Sequence, residues 1–259
     1  MAILKANDAQ LHYELQGPQA APVLVFSHSL GASFSMWDPQ AAEFRNRFQV
    51  LAYDTRGHGL SFATPGPYSI EQLGHDVLSL LDALKIDRVH FCGLSMGGMI
   101  GMWLGANAPE RLHRLILCNT GARIGTVESW NTRILAVQKG GMSSVAAAII
   151  ERWFTSGYRG KAPDTVAKTK KMIEDTNVAG YVACCAAVRD FDGHPFLETI
   201  RTPTLVIAGA QDPATPPADG RFLAEHIPGA RYAELNAAHL SNLEDRQTFN
   251  REIAAFLQA

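Results

Sequence analysis

The stretch Val89-His90-Phe91-Cys92-Gly93-Leu94-Ser95-Met96-Gly97-Gly98-Met99-Ile100 decides how the rest of the chain is read. Residues 88–92 make a short, mostly apolar run that reads as a buried strand, and the small residues from Met96 onward suit a tightly packed helix. Ser95 falls at the join, with Gly93 two residues before it and Gly97 two after. In a strand–turn–helix context this G-x-S-x-G spacing is a nucleophile elbow, a turn sharp enough to lift the serine hydroxyl clear of the sheet. The glycines are needed because a side chain at either position would strike the strand or helix folded beside it. Five residues are a weak signal alone, so a base, an acid and an oxyanion site must be found elsewhere.

Toward the N-terminus, Met1-Ala2-Ile3-Leu4-Lys5 opens a first strand, and residues 2–15 read as two strands with alternating polarity in the second. Val23-Leu24-Val25-Phe26 is a continuous apolar run, the pattern of a strand buried on both faces of a parallel sheet. It ends at His28-Ser29-Leu30-Gly31, a loop whose backbone amides can point at the elbow serine, and a helix follows around residues 36–47. His28 precedes the nucleophile and reads as a residue that holds this loop. Residues 49–53 form the next strand; Asp54, Arg56 and His58 then fall in a glycine-rich turn that their own polar side chains can fix. Ser69 opens a helix with a capping box, and Ile70, Leu73, Val77, Leu80, Leu81 and Leu84 give it one apolar face. The elbow helix carries Gly97, Gly98, Gly101 and Gly105, which implies close packing on the sheet, and Leu115–Cys118 is another buried strand.

Strands and helices alternate up to this point, which implies right-handed crossovers and a parallel sheet. Between Gly121 and Asp192 the alternation stops. Four helical patterns replace it, near 128–139, 142–155, 163–177 and 178–189, separated by Gly140-Gly141, Gly157-Tyr158-Arg159-Gly160 and Asn177. Such an insertion is expected to sit over the carboxyl ends of the strands, where open α/β sheets bind ligands. After Pro203 the sheet resumes with strands at 204–208 and 231–235, a helix near 218–226 between them, and an amphipathic helix at the end. The expected organisation is one compact unit: an α/β core of residues 1–120 and 193–259 with a helical cap over 121–192.

Composition narrows the function. The net charge is −2 with acids and bases interspersed, which argues against nucleic acid or an anionic membrane as partner. No signal-peptide pattern or membrane-length apolar run appears, so a cytoplasmic enzyme is the expectation. Cys92, Cys118, Cys184 and Cys185 form neither a disulfide ladder nor a metal-binding pair; the first two fall in core strands and the last two in an alanine-rich helix. No metal-ligand spacing or nucleotide-binding loop is present, so no cofactor or metal is expected. Oligomeric state leaves no trace in the sequence.

Each partner that Ser95 needs follows a predicted strand. Asp212 comes after 204–208 and His239 after 231–235, giving the order Ser95, Asp212, His239 of the α/β-hydrolase fold. A serine hydroxyl is a poor nucleophile until a neutral imidazole takes its proton, and a carboxylate on the other ring nitrogen fixes the tautomer and stabilises the imidazolium. The backbone amides of Leu30 and Met96 are the candidate oxyanion donors. Asp190 and Asp192 lie at the end of the helical insertion and are weaker candidates for the acid. Serine rather than aspartate at the elbow disfavours an alkyl-enzyme mechanism.

At a finer level His90–Gly98, Asn119-Thr120-Gly121-Ala122-Arg123-Ile124-Gly125, Arg152-Trp153-Phe154-Thr155 and Pro203–Gly209 resemble the 3-oxoadipate enol-lactonases. The resemblance extends over essentially the whole chain, with Gly121 standing where that family has alanine. It implies hydrolysis of a five-membered enol-lactone bearing a carboxymethyl group, within the β-ketoadipate route of aromatic degradation. The anionic substrate implies a cation in the pocket: Arg123, Arg133 and Arg152 are the candidates, with Trp130 and Trp153 as apolar walls. The alternatives are another cofactor-free hydrolase of this fold, namely a general carboxylesterase, a haloperoxidase-like enzyme or a C–C hydrolase, and a hydrolase-fold receptor for a small ligand.

Overall fold

A computed structural model describes residues 2–258; Met1, placed by its sequence at the head of the first strand, lies outside them. In chain order the described elements are β1 (Ala2–Ala6), β2 (Ala9–Gln16), β3 (Val23–Ser27), α1 (Asp38–Phe44), β4 (Gln49–Tyr53), α2 (Ile70–Ala83), β5 (Val89–Leu94), α3 (Met96–Asn107) and β6 (Leu112–Cys118). Six helices follow without a strand: α4 (Val127–Gly140), α5 (Ser143–Trp153), α6 (Ser156–Lys161), α7 (Pro163–Glu174), α8 (Val178–Asp190) and α9 (His194–Leu197). The chain then closes with β7 (Thr204–Gly209), α10 (Pro217–His226), β8 (Arg231–Leu235), α11 (Ser241–Glu244) and α12 (Arg246–Gln258).

The strands make one sheet in the order β1-β2-β4-β3-β5-β6-β7-β8. β1 and β2 pair antiparallel, as do β2 and β4; every pair from β4 to β8 is parallel. β3, β5 and β7 are buried along their whole length, which is why they read as unbroken apolar runs rather than alternating ones. α3 packs on β5 and β6, α10 on β7 and β8, and α2 on α3 and β1. Ile70, Leu73, Val77, Leu80 and Leu81 form the buried face of α2, whose N-terminus is capped by Ser69 Oγ accepting from Gln72 N–H at 3.1 Å. α3 is buried on nearly every side, because its glycines bring it hard against the sheet: a Cβ at Gly101 would lie 3.1 Å from Leu115 and Leu117.

Helices α4 to α8 pack chiefly on one another, α4 against α5 and α8, and α5 against α7. Gly157-Tyr158-Arg159-Gly160, expected as a break between helices, folds instead as α6. Thr155 Oγ1 accepts from Tyr158 N–H (3.2 Å), and the Tyr158 ring stacks on Phe154 with centroids 5.1 Å apart. That cap and that stack offset the glycine entropy which makes the stretch look like a linker. The single helix expected over 36–47 is shorter and split, a 3-10 turn at Phe34–Trp37 followed by α1. Among the described residues all four cysteines are free and buried, with the Cys92 and Cys118 sulfurs 3.8 Å apart on neighbouring strands. No helix of the described residues is long and apolar enough to cross a membrane.

Candidate active site

Ser95 joins β5 to α3 with a φ of +59°, a left-handed conformation rare for a residue with a side chain. Close approach on both sides holds it there. A Cβ at Gly93 would lie 2.1 Å from the Gly97 carbonyl oxygen, and one at Gly97 would lie 2.3 Å from the Ser27 carbonyl oxygen at the end of β3. The turn is also fastened to β6 and beyond: Ser95 N–H donates to Cys118 O (2.9 Å), and Thr120 Oγ1 donates to Ser95 O (2.8 Å). Strain of this kind persists where the surroundings over-determine it, and it aims the hydroxyl at the carboxyl end of the sheet.

Asp212 and His239 follow β7 and β8 and meet there. Asp212 Oδ2 lies 2.7 Å from His239 Nδ1, and both side chains are buried. The carboxylate is saturated with donors: Oδ2 also accepts from Thr215 Oγ1 (2.6 Å) and Asn119 Nδ2 (3.0 Å), and Oδ1 accepts from the Ala214 and Thr215 amides (2.8 and 3.1 Å). Burial pushes the Asp212 carboxyl up, but the His239 ring and the hydrogen bonds from His239, Thr215 and Asn119 outweigh it and hold it below its ordinary value. Asp212 is thus poised as an anion against Nδ1, which leaves Nε2 as the face available to a substrate or serine. Asp190 and Asp192 belong elsewhere: Asp190 pairs with Arg189 at 2.7 Å, and Asp192 with Arg123 and His194.

Asn119 ties Asp212 to the loop of His239, a contact its sequence position did not reveal. It sits in the left-handed region just after β6 (φ +43°) and is buried. Its Nδ2 donates to Ala238 O (3.2 Å) as well as to Asp212, while its Oδ1 accepts from Ser241 Oγ (2.5 Å). An asparagine directly after a strand is the available clue, since Asn tolerates this conformation better than most residues.

The loop after β3 is pinned by two histidines. His28 Nε2 accepts from Thr55 N–H (2.9 Å) and its Nδ1 donates to Ser29 O (2.8 Å). His58 Nε2 accepts from Gly31 N–H (3.0 Å). Burial lowers both, His58 to about 3, so each stays neutral and can accept through Nε2. These bonds leave the Leu30 amide without an acceptor among the described residues, and the Met96 amide is in the same position at the first turn of α3. Asp54 and Arg56 are likewise absorbed by structure: Asp54 accepts from Phe34 N–H, Leu60 N–H and His12, and the buried Arg56 is clamped by Asp76 and Asp8.

Ser95 and His239 open onto a cavity of about 210 Å³. Ser29, Leu30, Pro213 and Ala214 line it from the core; Ile124, Gly125, Ser129, Trp130, Arg133, Ile149, Arg152, Trp153 and Tyr181 line it from the helical segment and the loop before it. Drug-sized pockets run from roughly 300 to 1,000 Å³, so this one suits a smaller molecule. Trp130 and Arg133 reach it together because residues three apart share a helix face, and the Arg133 guanidinium lies 4.7 Å from the Trp130 ring centroid. Trp153 lies over His239, with centroids 6.3 Å apart and planes 29° apart. Neither Arg133 nor Arg152 has a carboxylate partner among the described residues, and burial, then the charge of Arg133, hold Arg152 below its ordinary value. Arg123 is the correction: it does not line the cavity, because its half-exposed guanidinium turns outward to Asp192 at 2.9 Å. Tyr181, missed by sequence reading, contributes a buried hydroxyl beside Arg133.

Known proteins share this fold and much of this sequence. The family model described as alpha/beta hydrolase fold matches residues 22–246. The chain is 44% identical to 3-oxoadipate enol-lactonase 2 of Acinetobacter baylyi over 255 residues, covering 98% of this chain and 96% of that protein. With 3-oxoadipate enol-lactonase 1 of the same organism it shares 38% identity, over 96% of this chain and 93% of the relative. The crystal structure of the enol-lactonase from Burkholderia xenovorans LB400 superposes with a TM-score of 0.98 at 45% identity, covering 100% of both chains.

Proposed function

The chain belongs to the alpha/beta hydrolase fold family and, within it, to the 3-oxoadipate enol-lactonases, and we propose that it opens its lactone through an acyl-enzyme on Ser95. It is a hydrolase of ester bonds whose substrate is a small lactone. In this reading Asp212 and His239 serve Ser95 as acid and base, and residues 121–192 act as a cap on a core of residues 1–120 and 193–259. The same reading places the enzyme in the cytoplasm.

His239 Nε2 takes the Ser95 proton as Oγ attacks the ring carbonyl, and Asp212 stabilises the resulting imidazolium. The oxyanion is received by the Leu30 and Met96 amides, which need no reorganisation because their loop and helix are already fixed. Collapse breaks the ring C–O bond and expels an enolate oxygen that stays tethered to the acyl group. His239 returns the proton to it, and the enol becomes a ketone. A water activated by His239 then attacks the acyl carbon, releasing the dicarboxylate product and restoring Ser95.

One observation carries the substrate assignment. Two guanidiniums with no carboxylate partner among the described residues, Arg133 and Arg152, face the same small cavity as Ser95 and His239. Two like charges held together in a half-buried site are unfavourable until an anion arrives, so the site favours a ligand with a carboxylate over a neutral one. Steady-state hydrolysis of the enol-lactone beside a neutral aryl ester tests the assignment: a much higher kcat/KM for the lactone is expected, and a preference for the ester overturns it.

A further inference from the structure

The loop that carries His239 is fastened from two sides, and only one of them belongs to the core. From the core, Asp212 holds the ring and Asn119 holds Ala238 O and Ser241 Oγ. Toward the cap, one carboxylate at the end of α11 gathers three donors: Glu244 accepts from Ala238 N–H (3.1 Å), and across to the cap from Thr155 N–H (3.2 Å) and the Thr155 hydroxyl. On the other side of the base, Leu240 N–H donates to Trp153 O at 3.0 Å. The residues immediately before and after His239 are therefore both tied to 153–155, the junction between α5 and α6. That segment directly follows Arg152, and its Trp153 ring covers the imidazole.

We infer that Glu244 is a positioning residue, a strut that sets the distance between the cap's carboxylate grip and the base. The inference rests on the reading of the site given above. A short, rigid lactone with a carboxylate at one end is held at two points, by Arg133 and Arg152 from the cap and at Ser95 from the core. Two-point contact with a rigid ligand is sensitive to spacing, and a misplacement of about 1 Å is enough to cost ~100-fold in rate. A neutral ester makes only the core contact. Cutting the strut leaves the His239 ring held by Asp212 and its loop by Asn119, with the Leu240–Trp153 hydrogen bond as the remaining tie to the cap, so ester chemistry persists while delivery of the lactone to Ser95 loses its precision. Glu244 thereby makes the enzyme selective for carboxylate-bearing lactones without touching the substrate.

The test compares Glu244→Ala and Thr155→Val with the conservative pair Glu244→Gln and Thr155→Ser, measuring kcat and KM for the enol-lactone and a neutral aryl ester. Thr155→Val removes the hydroxyl's bond to Glu244, together with its cap on Tyr158 N–H, at nearly constant volume, so it carries the test if Glu244→Ala does not fold. In the two disruptive variants kcat/KM for the lactone is expected to fall ~10- to 100-fold, chiefly in kcat, while the ester changes by less than about threefold. Glu244→Gln keeps an acceptor for the two amides and Thr155→Ser keeps the hydroxyl, so both restore most lactone activity. Equal losses on both substrates, or unchanged lactone kinetics, overturn the inference. If the wild-type enzyme itself prefers the ester, the reading of the site falls, and the strut with it.

Discussion

Replacing Asp212 by asparagine changes one oxygen to an amide nitrogen and leaves the shape of the side chain intact, yet its consequences are large. Oδ1 accepts from the Ala214 and Thr215 backbone amides, so the remaining oxygen must stay there. The new NH2 then occupies the place of Oδ2, which now receives donors from His239 Nδ1, Thr215 Oγ1 and Asn119 Nδ2. The Thr215 hydroxyl can rotate to accept. Asn119 cannot flip its amide without losing the Ser241 hydrogen bond to its Oδ1. His239 is left to accept through Nδ1, which moves its proton to Nε2 and faces Ser95 with a donor instead of a base. The equivalent tautomer trap in serine proteases lowers kcat by ~10⁴, and a similar loss is expected here with KM nearly unchanged. One imperfectly paired buried donor costs about 1–3 kcal/mol, so the variant remains folded but unfolds at lower denaturant. Steady-state lactone hydrolysis and urea unfolding measure the two effects. A kcat within tenfold of wild type, in a variant whose fold is intact, refutes the assignment of Asp212 as the orienting acid.

Ser95→Ala is expected to abolish turnover while lactone binding, followed by calorimetry, stays close to that of the wild type; residual hydrolysis at wild-type rates means another nucleophile. Arg133→Met and Arg152→Met should each raise KM for the lactone about tenfold or more and spare a neutral ester, as expected when a charge-assisted hydrogen bond to the substrate is lost. Arg123→Ala should leave both unchanged, because an exposed ion pair with Asp192 contributes roughly 0–1 kcal/mol. Stability should fall on acidification well before carboxylates titrate. His28 and His58 are buried with lowered affinity for protons, so below their unfolded value of about 6.5 the unfolded chain binds protons that the folded chain does not, and stability drops by up to ~1.4 kcal/mol per pH unit for each. For His58 this continues down to its folded value of about 3. Urea midpoints between pH 7 and pH 5 check this: His58→Gln, which keeps an acceptor for the Gly31 amide, should flatten the slope, and an unchanged slope refutes it.

The difference between Arg123 and Arg133 shows where sequence reading stops. Arg123 lies in a stretch that resembles the enol-lactonases, yet on the loop after β6 it pairs with Asp192. Arg133 lies in an unremarkable polar helix and points inward only because α4 packs its Trp130 face toward α5 and α8. α4 carries a weaker apolar periodicity than α5 or α7, so its facing is set by neighbours rather than by pattern. The helix at Ser156–Lys161 escaped notice for a related reason: its glycines argue locally for a break, and its stabilising contacts, Phe154 and Leu243, come from outside it.

Sequence alone determined the succession of strands along the chain, the mostly parallel sheet, the elbow at Ser95 and the two strand-end loops that carry Asp212 and His239. These are local signals, because strand burial, turn chemistry and the glycine demand of a sharp turn are written within about ten residues of each position. Tertiary structure decided which arginines face the cavity, that Asn119 joins Asp212 to the loop of His239, and that Glu244 joins the same loop to Thr155. Those contacts join residues 93 and 89 positions apart, Asn119 with Asp212 and Thr155 with Glu244. A hydrogen bond of that kind depends on the relative placement of separately folded elements, which no local pattern encodes.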